Sequence, residues 1–99
     1  MGAFNMQVVE DTFNRAREAG AKYVCVAIEM EGWNMPELII NPIENMEGKL
    51  LYYKRTYRSE DCVHKHSPGI RIFGVSYGHS SVDLGREFNL IGGTLDENK

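Results

Sequence analysis

The sequence predicts a small α+β domain, or a small α/β domain, with element order α-β-β-α-β, a C-terminal extension and a sheet packed by two helices. An amphipathic segment comes first, a nearly continuous apolar run follows, and a short apolar strand then leads without a linker into a second helical stripe. A chain of 99 residues has room for one core. We therefore expect a single domain over residues 1–95 and a frayed tail at 96–99.

The first helix is expected to begin after Asn5, a favoured N-cap residue, and to end before Gly20. Its apolar residues recur at helical spacing: Met6, Val9, Phe13 and Ala16. The next segment, Lys22 to Met30, is almost continuously apolar and rich in β-branched residues. This composition is typical of a central strand that is covered on both faces.

A second strand, roughly Glu37 to Ile40, leads directly into the second helix. Asn41 can cap that helix, Pro42 suits its first position, and Glu44 can reach back as in a capping box. We expect the helix to run from Pro42 to about Tyr57. Its apolar stripe predicts the core-facing side: Ile43, Met46, Leu50, Tyr53 and Tyr57.

A third strand is expected from Ile70 to Tyr77, after a polar loop from Ser59 to Gly69, with Gly74 as a bulge or point of close approach. The strand-helix-strand succession predicts a right-handed parallel crossover. The segment from Gly78 to Leu95 has scattered apolar residues between glycines. It could form a fourth short strand or an arm onto a neighbouring subunit.

Several classes of protein are disfavoured by composition. No apolar run approaches the roughly 18 residues of a membrane span. The N-terminus mixes acids and amides with its apolar residues, unlike a secretion signal, so we expect a cytoplasmic protein. Cys25 and Cys62 lack C-x-x-C spacing, which argues against a zinc knuckle or redox pair.

Charge is unevenly distributed along the chain. The formal net charge is −3, which makes extended nucleic acid an unlikely partner, yet the segment from Lys49 to Ile72 has six basic and two acidic residues. Lys54, Arg55 and Arg58 lie near the end of the second helix, where cations also favour the negative end of the helix dipole. Two readings stay open, a stabilising role and a binding role.

The binding reading adds two residues to these cations. Tyr52 falls outside the apolar stripe and Arg71 lies on the third strand, so a basic surface with an aromatic component could stack a base and neutralise phosphate. Trp33, the only tryptophan, lies in the turn between the first two strands. It is either a binding contact or a lid folded over the core.

Catalytic and metal-binding constellations are weak. His64 and His66 alternate in one loop, but Lys65 stands between them, and the set of Asp61, Cys62 and His64 lies within a single loop, whereas catalytic partners normally come from separate elements. The glycines form neither a G-x-G-x-x-G nor a Walker-type motif. We assign no catalytic residue, no metal ligand and no cofactor.

One block of sequence carries a family resemblance. The pattern Pro36-Glu37-x-Ile39-Ile40-Asn41-Pro42, then Asn45, Lys49, Tyr52-Tyr53 and Tyr57, resembles a block in small uncharacterised accessory proteins of phages and prophages of Gram-positive bacteria. The resemblance covers about a fifth of the chain and implies no transferable catalytic residue. It implies a protein that acts by binding in the host cytoplasm, as an anti-defence inhibitor or a sponge for a ligand.

The sequence thus predicts a non-enzymatic accessory protein that binds and neutralises a host component, either a host protein or a small anionic nucleotide-like signal. The alternatives are a small enzyme acting on a phosphorylated or nucleotide substrate and a structural homo-oligomer without ligand. We also expect a homo-oligomer, most simply a two-fold dimer. Its interface is predicted around Phe88, Leu90 and Ile91.

Overall fold

The computed structural model describes residues 4–80 and the backbone of residues 94–97. Its elements, in chain order, are α1 (Met6–Glu18), β1 (Tyr23–Met30), β2 (Glu37–Pro42), a 3-10 turn (Ile43–Asn45), α2 (Met46–Thr56), β3 (Ile70–Gly78) and β4 (Thr94–Glu97). The strands lie in the order β3-β1-β2-β4; β1 is antiparallel to both of its neighbours, and β4 is parallel to β2. The predicted fold class and element order are confirmed.

Both ends of α1 are closed by local hydrogen bonds, as the sequence predicts. The Asn5 side chain accepts a hydrogen bond from the Val8 N–H at 3.2 Å. At the other end the Ala21 N–H donates to the Ala16 carbonyl and the Gly20 N–H to the Arg17 carbonyl, the bond pair of a Schellman motif. The helix therefore begins and ends where its caps allow.

The central strand, β1, is buried on both faces of the sheet. Val24, Val26 and Ile28 belong to the main core, into which both helices pack. Because side chains alternate along a strand, Cys25 and Ala27 point to the opposite face, where they form a second buried cluster. The prediction of a doubly covered central strand is confirmed.

The junction between β2 and α2 differs from the prediction. Asn41 does not cap a helix: it is a strand residue paired with Val24, and it is almost fully buried. The strand continues through Pro42, and the Ile43 N–H donates across the sheet to the Lys22 carbonyl at 2.8 Å. Because pairing with β1 keeps the chain extended through Pro42, helical residues begin only at Ile43, and Asn41 lies too far back in the strand to cap them.

The core-facing stripe of the second helix agrees with the prediction. Met46, Tyr53 and Tyr57 are buried in the main core, and Ile43 and Leu50 pack against it partly buried. The helix itself is shorter than expected, because a 3-10 turn occupies Ile43–Asn45 and α2 begins at Met46.

The third strand lies at an edge of the sheet. Its register against β1 shifts between Ala27 and Ile28, which leaves Phe73 as the extra residue of a bulge beside Gly74. β2 and β3 run in the same direction, as predicted, because each is antiparallel to β1, which lies between them. The loop after α2 adds single bridges, Tyr57 to His64 and Val63 to Arg71, beside the start of β3.

Only part of the C-terminal segment lies among the described residues. A fourth strand exists, but it is Thr94–Glu97, so residues 96 and 97 belong to the sheet, whereas the sequence placed them in a tail. Phe88, Leu90 and Ile91, the predicted interface, lie outside the described residues. Neither helix in the described part of the chain is both long and apolar enough to cross a membrane.

Candidate binding site at the Trp33 turn

The turn after β1 projects the indole of Trp33 into solvent. Gly32 has φ +87°, and the Trp33 N–H donates to the Met30 carbonyl at 3.0 Å, as in a type II turn, whose third residue requires a positive φ. The turn thus depends on glycine at position 32. Trp33 is 68% exposed, so it does not form a lid over the core.

The loop that ends at Gly69, directly before β3, is held against this turn. The Glu31 N–H donates to the Gly69 carbonyl at 2.8 Å. A Cβ atom on Gly69 would lie only 2.9 Å from a carboxylate oxygen of Glu31, so a larger residue at position 69 would displace that side chain. The two loops therefore form adjoining walls, and the close approach at Gly69 depends on the absence of a side chain.

Between these walls lies an open depression of about 490 Å³, which we call the Trp33 depression. Its lining includes Glu29, Glu31, Trp33, Pro68, Gly69 and Arg71. The Arg71 guanidinium donates to the Glu29 carboxylate, with Nε 2.9 Å from Oε2. The lining thus contains two carboxylates and one guanidinium, and the guanidinium is already paired.

The cations predicted to form a basic binding surface are mostly paired with acids. Lys54 Nζ lies 2.9 Å from Glu10 Oε1. Arg58 contacts two acids of the following loop, Glu60 at 3.5 Å and Asp61 at 3.4 Å. These pairs are exposed and contribute little to stability, but they cancel most of the local positive charge.

Two predicted residues on α2 remain open to solvent. Arg55 is exposed and has no ion pair among the described residues. Tyr52 is 51% exposed, and the ammonium of Lys49 lies 5.2 Å from its ring centroid. Of the six predicted site residues, only Trp33 and Arg71 line the Trp33 depression.

The thiol of Cys62 is unsuited to nucleophilic chemistry. Burial raises the pKa of Cys62 to about 11, the Asp61 carboxylate adds to this increase, and Arg71 opposes it. A nucleophilic cysteine needs the opposite shift, because the thiolate is the reactive form. The set of Asp61, Cys62 and His64 therefore lacks an activated nucleophile.

The loop histidines form a local structural contact. The His66 N–H donates to His64 Nδ1 at 3.0 Å, and the His64 ring lies edge-on to Tyr57 with centroids 5.2 Å apart. Within residues 4–80, no three His, Cys, Asp or Glu side chains are grouped to hold a metal ion.

Sequence reasoning missed the acidic residues of the Trp33 depression. Glu31 stands two residues before Trp33, so the sequence alone could have predicted a carboxylate close to the indole. Glu29 and Arg71 are 42 residues apart, and only the β1–β3 register brings them together.

Comparison of the chain with protein-family models, with curated proteins and with solved structures gave no match.

Proposed function

We propose that this chain is a non-enzymatic accessory protein that neutralises a host protein by binding it in the host cytoplasm through the Trp33 depression. The observation that carries the proposal is the indole of Trp33, which is 68% exposed beside a depression of about 490 Å³. Tryptophan is strongly enriched among the residues that dominate protein–protein binding energy. The turn is fixed by its own backbone hydrogen bond, so its backbone has little entropy left to lose on binding.

The charges around Trp33 favour a protein partner over a small anionic nucleotide. Arg71 is paired with Glu29, and Glu31 adds a second carboxylate to the lining. An incoming phosphate would meet this excess of negative charge, whereas a Lys or Arg side chain would gain both a carboxylate and the face of the indole. The depression is thus suited to a partner with an exposed cationic side chain.

Capture from a Gram-positive host lysate, followed by titration of the purified partner, tests this proposal. Trp33→Ala should weaken the measured affinity by roughly tenfold or more, because it removes the main apolar contact. Val8→Ala is the matched control, since Val8 is also an exposed apolar residue but lies on α1. It should leave the affinity unchanged, and both variants should keep the melting temperature of the parent chain.

Equal affinity of the parent and the Trp33→Ala variant for the captured partner would contradict the proposal. A thermal-shift panel of nucleotides provides the other decisive outcome. If a nucleotide raises the melting temperature of the parent chain but not that of Trp33→Ala, the depression binds a small anionic ligand, and the protein-partner proposal is wrong.

A further inference from the structure

The outer face of α2 exposes two large apolar side chains that the core does not use. Four exposed residues share this face, because they stand at positions i, i+3, i+4 and i+7 of the helix: Gly48, Leu51, Tyr52 and Arg55. Leu51 is 57% and Tyr52 51% exposed. A Cβ atom on Gly48 would meet nothing within 4 Å, so this position is a notch open to solvent. Leu51 and Tyr52 lie three and four residues after Gly48, so both neighbour this notch on the helix surface.

The same helical stretch has unpaired charges of opposite sign at its two ends. Glu47 is paired with Arg17, and Lys54 with Glu10. Glu44, at the start, and Arg55, near the end, are exposed and have no ion pair among the described residues. Lys49, between them, has no ion pair there either, and its ammonium lies over the rings of Tyr52 and Tyr53. A helix with a free acid at its start and a free base near its end is complementary to an antiparallel copy of itself.

We propose that two copies of this chain pair through α2, antiparallel about a two-fold axis, with Leu51 of each copy seated in the Gly48 notch of the other. This pairing also determines which charges meet. In an antiparallel pair, the residue four positions after Leu51 on one helix lies opposite the residue four positions before Gly48 on the other. Arg55 therefore lies opposite Glu44 of the second copy. Two-fold symmetry repeats both contacts.

The expected strength of this dimer follows from its size. α2, from Met46 to Thr56, is about 17 Å long at about 1.5 Å per residue. One helix from each copy buries an area at the small end of the range for specific interfaces. We expect monomer and dimer to exchange at micromolar concentration. The surface shares no residue with the lining of the Trp33 depression.

Sedimentation of the full chain at increasing concentration tests the proposal. The parent chain should approach twice the 11.3 kDa of one chain. Leu51→Glu should raise the dimer dissociation constant at least roughly tenfold, because it places a charge in the notch. Val8→Glu, on an exposed position of α1, is the matched control and should dimerise like the parent.

Two further variants separate a lost interface from a damaged fold. Gly48→Leu fills the notch, so it should abolish dimerisation while it preserves or raises the melting temperature, since leucine favours helix more than glycine does. Arg55→Glu should weaken the dimer, and the double variant Glu44→Arg with Arg55→Glu should restore it.

A parent chain that stays monomeric at the highest concentration would overturn the proposal. So would a dimer that tolerates both Leu51→Glu and Gly48→Leu. A double charge variant that dimerises no better than Arg55→Glu would overturn the antiparallel register.

Discussion

At the scale of single residues, two buried polar atoms have no hydrogen-bond partner within the described residues. They are Asn41 Oδ1 and the hydroxyl oxygen of Tyr53. A buried polar group without a partner loses its hydration without compensation, typically at a cost of about 1–3 kcal/mol. Asn41 looked favourable as a cap in sequence, but in the strand its amide oxygen is a source of instability.

Tyr53→Phe tests the energetic cost of the buried hydroxyl. The ring packs in the core and only 1% of the residue is exposed, so phenylalanine keeps the packing and removes only the oxygen. We expect the free energy of unfolding to stay constant or to rise by about 1 kcal/mol, measured by urea denaturation. Tyr52→Phe, at an exposed position, should change it by less than about 0.5 kcal/mol. A loss above about 1 kcal/mol in Tyr53→Phe would show that the hydroxyl has a partner after all.

At the scale of elements, the sequence was most informative where the determinants are local. The caps of α1 and the apolar run of β1 lie within a few residues of what they specify, and both elements were predicted correctly. The start of α2 was wrong because the Ile43 N–H is used by Lys22, 21 residues away in sequence, which no local pattern reports. The Glu29–Arg71 pair was missed for the same reason.

Asn5→Ala tests the one predicted N-cap that the structure contains. The Asn5 side chain satisfies the Val8 N–H at the first turn of α1, and its loss should lower the free energy of unfolding by about 1 kcal/mol. Asn5→Ser should retain most of the stability, because serine can accept the same bond. Gln7→Ala is an exposed control on the same turn. If Asn5→Ala and Gln7→Ala have equal stability in urea, the cap contributes nothing.

At the scale of the whole molecule, the net charge of a stretch of sequence does not predict the charge of the surface that the stretch forms in the fold. The segment from Lys49 to Ile72 is basic in sequence, yet Lys54 is neutralised by Glu10 of α1 and Arg71 by Glu29 of β1. Folding brings acids from other elements to these bases. A basic segment predicts an anion site only when its partners in space are known, and this is why the acidic lining of the Trp33 depression was not foreseen.

Stability in alkali is also a property of the main core, because three of its members are weak acids. Burial raises the pKa of Tyr53, that of Tyr57 to about 12 and that of Cys62 to about 11. In the unfolded chain a thiol releases its proton near pH 9 and a tyrosine near pH 10. Above these values the unfolded state binds fewer protons than the folded state, so stability falls as pH rises.

The contribution of Cys62 should therefore be complete below about pH 9 and should disappear between about pH 9 and pH 11. Urea denaturation at several pH values in this window should give a falling free energy of unfolding. Cys62→Ala should show a shallower fall, although its stability at neutral pH is lower because it loses buried contacts. Cys25→Ala is a second buried-thiol variant for comparison. If the parent and Cys62→Ala lose stability at the same rate across this window, the Cys62 thiol ionises as readily in the folded protein as in the unfolded chain, and its burial does not protect the proton.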